Sequence, residues 1–237
     1  MMFKAVLFDL DGTLLHIDMD YFLKQYFKKM MELAAEMGYR EGSRLVEQIW
    51  RSTDVMIADL DHETSNEEVF MRDFYCNWPY SPEEFNLFFD RFYRERFPLL
   101  KEFCRPFPGV PEMMEYIMRQ RVKVVIATNA VFPLSALRDR IAWAGLGHHR
   151  FDLITSYELM HFCKPHVQYY QEIVQRIGVQ PEDCLMVGND TGEDLPAAKI
   201  GMKTFLVEDL LIDKGADYKP DWQGRLPHFF DFVKKCI

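Results

Sequence analysis

Residues 5–13 read AVLFDLDGT: four apolar residues, two aspartates flanking a single leucine, then Gly12 and Thr13. An apolar run that stops abruptly at polar residues is the pattern of a strand buried on both faces of a parallel sheet. Asp9 and Asp11 then stand at its carboxyl end. Two carboxylates so close raise each other's energy unless a positive charge sits between or opposite them. The rest of the chain must supply that charge.

Two further runs repeat the pattern: VKVVIA (122–127) before Thr128 and Asn129, and CLMV (184–187) before Gly188, Asn189 and Asp190. FDLITS (151–156) and KTFLV (203–207) are shorter strand candidates, while SALRDRIAWAGL (135–146) and HVQYYQEIVQRIGV (166–179) carry helical spacing. In the latter, Gly178 suits a helix C-terminus. Strands alternating with helices predict an α/β fold, a doubly wound parallel sheet with helices on both faces. In such a sheet ligands bind at the carboxyl ends of the strands. The polar clusters fall there, and Lys164-Pro165 precedes the helix leading into the third strand.

Residues 16–101 behave differently. They offer amphipathic stretches and no convincing strand: 19–38, 43–60, 66–78 and 81–97. Ser81, Pro82 and Glu84 make a good helix start. The expected organisation is a core domain of residues 1–15 and 102–237, with a helical domain of 16–101 inserted. Its aromatic residues (Phe22, Phe27, Trp50, Phe70, Phe74, Phe89 and others) recur at helical spacing and are expected to form that domain's own core. Arg40, Arg44 and Arg51 read first as solvated charges, with contact to an anionic group as the alternative. His16 reads as a hinge residue that is at least as much structural as functional.

The chain has 237 residues, of which 49% are hydrophobic, so a sizeable core is available. The net charge of -9 argues against nucleic-acid binding. Five scattered cysteines without CxxC spacing read as reduced thiols, not a disulfide frame or a zinc site. No run approaches a membrane span. A cytoplasmic protein, monomer or homodimer, is expected.

The set DxDGT, strand-Thr-Asn, Lys-Pro and Gly-Asn-Asp with Asp194 four residues after Asp190, in that order, resembles the haloacid dehalogenase-like (HAD) hydrolase superfamily. PFPGV (106–110) and AAKIGMKTFLV (197–207) are also similar to family members. The resemblance covers about residues 1–15 and 103–210, and implies a Rossmann-like core with an α-helical cap. Phosphoryl transfer needs an in-line nucleophile and positive charge around the equatorial oxygens. Asp9 is the candidate nucleophile, forming an aspartyl-phosphate. A dianionic phosphate would repel it, so a divalent cation is required, and Mg2+ suits oxygen ligands. The resemblance implies Asp9, the Asp11 carbonyl and Asp190 as its ligands. Asp190 is preferred over Asn189, because a carboxylate better matches a hard dication. Asp194 is placed in support, orienting the metal shell or Lys164.

Asp11 is the candidate general acid and base. Thr128, Asn129 and the backbone amides at Leu10 and Gly12 would bind phosphate oxygens, and Lys164 supplies fixed positive charge. An aspartate at position 11 sets the chain apart from the dehalogenase, phosphonatase and ion-pump branches. The expected activity is phosphomonoester hydrolysis on a small phosphorylated metabolite. A sugar phosphomutase is the alternative enzyme, and a non-catalytic phosphate-binding protein the alternative of another class.

Overall fold

The computed structural model describes residues 2–215 and 218–237. The N-terminal strand β1 (Ala5–Phe8) lies at the centre of the main sheet. The strand β2 (Leu15–Ile17) and the helices α1 (Met19–Glu36), α2 (Gly42–Ala58), α3 (Asn66–Asn77) and α4 (Pro82–Arg91) follow. The chain returns through β3 (Cys104–Pro106), α5 (Val110–Met118), β4 (Lys123–Ile126), α6 (Leu134–Trp143), β5 (Leu153–Ile154), α7 (Val167–Ile177), β6 (Cys184–Gly188) and β7 (Lys203–Val207). It ends with β8 (Trp222–Gly224) and α8 (Leu226–Val233).

Six strands form one sheet in the order β5-β4-β1-β6-β7-β8, and every pairing is parallel. All four residues of β1 are buried, and alternation sends them to opposite faces. Val6 and Phe8 share a cluster with Met114 of α5 and Phe229 of α8, while Ala5 and Leu7 pack with Tyr169 and Ile173 of α7. Both faces are therefore covered, as the doubly wound reading requires. The strand order reverses beside β1: β4 and β5 extend one way, β6 to β8 the other. Asp9 and Asn189-Asp190 emerge on the two strands flanking this crevice, the place where open α/β sheets bind ligands.

The helices between β2 and β3 have local reasons to start where they do. Asp18 accepts from the Tyr21 amide at 3.0 Å to cap α1. α3 and α4 each open on a full capping box, Ser65 with Glu68 and Ser81 with Glu84. The amphipathic stretch 81–97 is not one helix. α4 gives way to a π turn over Phe92–Arg96 and a 3-10 segment over Phe97–Phe103. Phe92 and Phe97 are both buried, and the Phe97 amide donates to the Phe92 carbonyl. Pro98, which lacks an amide to continue the ladder, lies at the start of the 3-10 segment.

The two crossings between sheet and helices are paired to each other. β2 and β3 form an antiparallel ribbon with Leu15 opposite Pro106 and Ile17 opposite Cys104. His16 lies within this ribbon, 3.1 Å from Arg105 and against the Phe107 ring. On the opposite side, buried Asn66 at the start of α3 donates to the carbonyls of Ala130 (3.1 Å) and Phe162 (3.3 Å). The Asn66 and Glu67 amides donate to Met160 and Tyr157 carbonyls. The helical insert is thus held to the sheet by a ribbon at one side and a polar clasp at the other.

Candidate active site

The loop after β1 turns on Leu10, whose carbonyl accepts from the amides of Thr13, Leu14 and Leu15. Gly12 is in the left-handed region at φ 84°. A Cβ there would fall 2.4 Å from the Asn189 Nδ2, so glycine is needed for both conformation and close approach. The Gly12 amide is already bonded to the Leu15 carbonyl at 2.8 Å. That bond shapes the loop on which the expected phosphate-binding amides at Leu10 and Gly12 lie. Gly188 has a similar duty, since a Cβ there would lie 2.0 Å from an Asp194 oxygen.

Lys164 is only 1% exposed, yet its ammonium lies 2.9 Å from Asp9 Oδ1 and 2.6 Å from Asp194 Oδ1. Burial works against its charge, but Asp194 and Asp9 hold it well above the ordinary lysine range. Thr13 donates to Asp9 Oδ2 (3.2 Å) or to Asn189 Oδ1 (3.0 Å). The Asp190 amide donates to Asp194 Oδ2 at 2.9 Å. Asp9, Lys164, Asp194 and Asp190 therefore form one connected cluster, assembled from three separate loops. The Asp190 Oδ1 accepts from the Gly192 and Glu193 amides at 2.8 and 3.0 Å, which fixes its side chain.

Thr128 and Asn129 follow β4 and line the same cavity. Asn129 accepts from the Lys164 amide at 3.1 Å and donates to Glu193 at 3.4 Å, tying two loops together. Tyr169 of α7 donates to the Thr128 carbonyl at 2.7 Å, and Tyr170 donates to the Glu193 carbonyl. Asn189 turns its side chain toward Thr13 and the Leu210 carbonyl.

Two cations of this cluster were missed in the sequence. Arg140 of α6 is buried and ion-paired with Asp11, its guanidinium 4.4 Å above the Phe132 ring. Its Nε and Nη2 and the Asp11 Oδ1 have no hydrogen-bond partner. A signal was present: Arg140 falls on the apolar stripe of α6 with Ala136, Leu137 and Ile141, where a surface arginine does not belong. Lys214 lies 2.8 Å from Asp190 and 2.9 Å from Glu193. Nothing in the loop around it marks it in the sequence.

Five carboxylates (Asp9, Asp11, Asp190, Glu193, Asp194) thus face three cations (Lys164, Arg140, Lys214). Burial pushes the Asp9 carboxyl up against the pull of Lys164, with Asp194 and Asp11 adding to the rise. Asp194 is also raised by burial. With all five carboxylates ionised, the site would carry two more negative charges than its own cations offset, the charge of one dication. Asp9 and Asp190 offer hard oxygen donors, and the Asp11 carbonyl is a third, so the residues fit a magnesium-like ion. Among the described residues no three acidic, thiol or imidazole side chains converge on one point. The donor set expected from the sequence, two carboxylates and a backbone carbonyl, does not require them to.

The cavity over this cluster holds about 400 Å³ and is shared by the sheet loops and the inserted helices. Phe22, Phe74, Phe85, Phe88 and Phe92 are buried in the helices' own core. Phe27 and Trp50 line the cavity, Trp50 being 45% exposed, and Phe70 and Phe89 reach it from the edge of that core. This corrects the reading of the aromatic set as core alone: one part of it faces the site. Arg40, Arg44 and Arg51 are exposed and absent from the cavity wall, with Arg44 paired to Glu41.

A family model described as haloacid dehalogenase-like hydrolase matches residues 3–200. The chain belongs to this family. Among curated proteins, this HAD-like hydrolase is similar to the glyceraldehyde 3-phosphate phosphatase of Methanothermobacter thermautotrophicus. The two are 26% identical over 222 residues, 92% of this chain and 91% of that protein. It is 27% identical to the phosphoglycolate phosphatase of Aquifex aeolicus over 205 residues, 86% and 84% of the two chains. In fold it is similar to a HAD phosphatase from Thermococcus onnurineus, with a TM-score of 0.60 and 21% identity over 98% and 97% of the chains. No helix among the described residues is long and apolar enough to cross a membrane.

Proposed function

We propose that this HAD-like hydrolase is a magnesium-dependent phosphatase. It would hydrolyse a small phosphomonoester through an aspartyl-phosphate on Asp9. The family and the phosphatases among its relatives support the hydrolysis of phosphoric monoesters. The observation that carries the finer reading is the connected cluster in which Lys164 bridges Asp9 and Asp194 beneath an enclosed cavity.

Asp9 attacks phosphorus as the ester P–O bond breaks, and the departing alkoxide takes a proton from Asp11. Burial raises the Asp11 carboxyl above its ordinary value, while the paired Arg140 pulls it down. Water then attacks the acyl phosphate, passes a proton to Asp11, and frees Asp9 and inorganic phosphate. Lys164 holds Asp9 in place and pulls its carboxyl toward the charged form against burial, while Thr128 and Asn129 hold phosphoryl oxygens. Asp9, Asp190 and the Asp11 carbonyl would hold the magnesium ion, which supplies the charge that lets phosphate approach Asp9. The inserted helices act as a cap that excludes water from the attack.

A phosphomutase reading is less well supported. The cavity wall from the inserted helices is mostly apolar, and it offers the hydroxyls of a sugar little beyond Asp20, Thr53, Tyr26 and Tyr93. The test is phosphate release from 4-nitrophenyl phosphate with magnesium. Asp9→Asn is expected to reduce it by at least about 1,000-fold, and a chelator to abolish it. Acid-quenched wild type, but not Asp9→Asn, should retain a labelled phosphoryl group. A wild type as inactive as the variant would overturn the reading.

A further inference from the structure

The cavity has two ends of different chemistry. At the floor stand the carboxylates and their cations. The wall contributed by the inserted helices is apolar, formed chiefly by Phe27, Ile49, Trp50, Ile57, Phe70 and Phe89. Tyr26 and Tyr93 also line it, but their hydroxyls are bonded to each other at 2.9 Å. The remaining polar side chains from these helices are Thr53 and Asp20, the latter acidic. Among the described residues, no lysine, arginine or histidine of the inserted helices lines the cavity.

The three cations contributed from outside the inserted helices, Lys164, Arg140 and Lys214, are each engaged by a carboxylate. The spare donors of Arg140 belong to a guanidinium paired with Asp11, at the phosphoryl end. A leaving group with its own carboxylate or second phosphate would therefore be desolvated against aromatic rings and Asp20, with no cation of the inserted helices to meet it. Burying an unpaired charge is strongly unfavourable, whereas burying a ring against these walls is favourable.

We propose that the substrate is a phosphomonoester whose alcohol is uncharged, apolar and ring-bearing, an arylalkyl or aryl phosphate. Its phosphoryl group sits over Asp9 and its ring against Phe27, Trp50 and Phe70. This rests on the phosphatase reading and goes beyond it by naming the substrate class. Trp50 suits the entrance of such a site, being 45% exposed with its ring 5.4 Å from that of Phe27.

The full chain with magnesium is assayed on benzyl phosphate and 2-phosphoglycolate, both of which expel an alkoxide, with 4-nitrophenyl phosphate as the general reporter. The kcat/KM for benzyl phosphate is expected to exceed that for 2-phosphoglycolate by at least about 50-fold, in line with burial of one ring. Trp50→Ala should raise KM for benzyl phosphate about tenfold more than KM for 2-phosphoglycolate. Thr53→Arg, which places a cation on the apolar wall, should narrow or reverse the preference. Equal or better turnover of 2-phosphoglycolate by the wild type would overturn the substrate class while leaving the phosphatase reading intact. So would a Trp50→Ala effect that is the same on both esters. If no ester, the reporter included, is hydrolysed faster by wild type than by Asp9→Asn, the phosphatase reading itself falls.

Discussion

Arg140 and Asp11 form a largely buried ion pair beside the nucleophile, with one Asp11 oxygen and two Arg140 nitrogens left without a protein partner. Taking both charges out of water is costly, and the pair survives because each ion neutralises the other. Removing one member strands the other. Arg140→Met should therefore lower unfolding stability by about 3–5 kcal/mol in urea denaturation. The double variant Arg140→Met with Asp11→Asn should recover part of that loss, since no lone charge remains. If Arg140→Met alone were neutral, the pair would have no structural weight, and Arg140 would matter only for the ligand. Asn66 raises a similar question without charge. Its amide bonds the Ala130 and Phe162 carbonyls from a fully buried position. Asn66→Ala is expected to cost about 2 kcal/mol, because two buried carbonyls lose a donor.

The helices and strands owe their boundaries to local chemistry that can be altered one cap at a time. Ser81 accepts the Glu84 amide and Glu84 reaches back to the Ser81 amide. Ser81→Ala should destabilise the chain by about 1 kcal/mol, read as a lower urea midpoint at unchanged slope. At the sheet edge, Asp221 accepts from the Thr204 amide (3.0 Å) and from Lys203 (2.6 Å), fastening the approach to β8 onto β7. Burial alone would raise the Asp221 carboxyl, but Lys203 and the Thr204 amide outweigh it and hold it below the ordinary value. A carboxyl depressed on folding adds stability above its unfolded pKa, and that gain fades as pH falls through the folded value. Asp221→Asn should thus be less stable than wild type at pH 7. The gap should close as pH drops below about 4, in parallel urea titrations.

Across the molecule, what the sequence revealed was what lies close together in the chain. AVLFDLDGT carries strand, turn and carboxylates in nine consecutive residues, so its place at the centre of the sheet was legible. So were the loops after β4 and β6, each announced by an apolar run. Contacts that close over long separations were not. Arg140 meets a partner 129 positions away, and Lys214 finds Asp190 through a loop with no regular pattern. The aromatic residues of the inserted helices show the same limit. Helical spacing reveals that Phe27 and Phe74 lie on apolar faces, but not that one faces a cavity and the other a core. That distinction depends on which helix packs opposite, a property of the assembled fold.

The ribbon of β2 and β3 has a further consequence. Ile17 and Cys104 are register partners, so everything between them departs from and returns to nearly one point in space. A two-residue hairpin turn is enough to bridge such a pair. The sheet's connectivity is then indifferent to how many residues are spliced in at that junction. It works as a socket: a different bundle, larger or smaller, could be seated there and present a new wall to the same aspartates without any strand being rerouted.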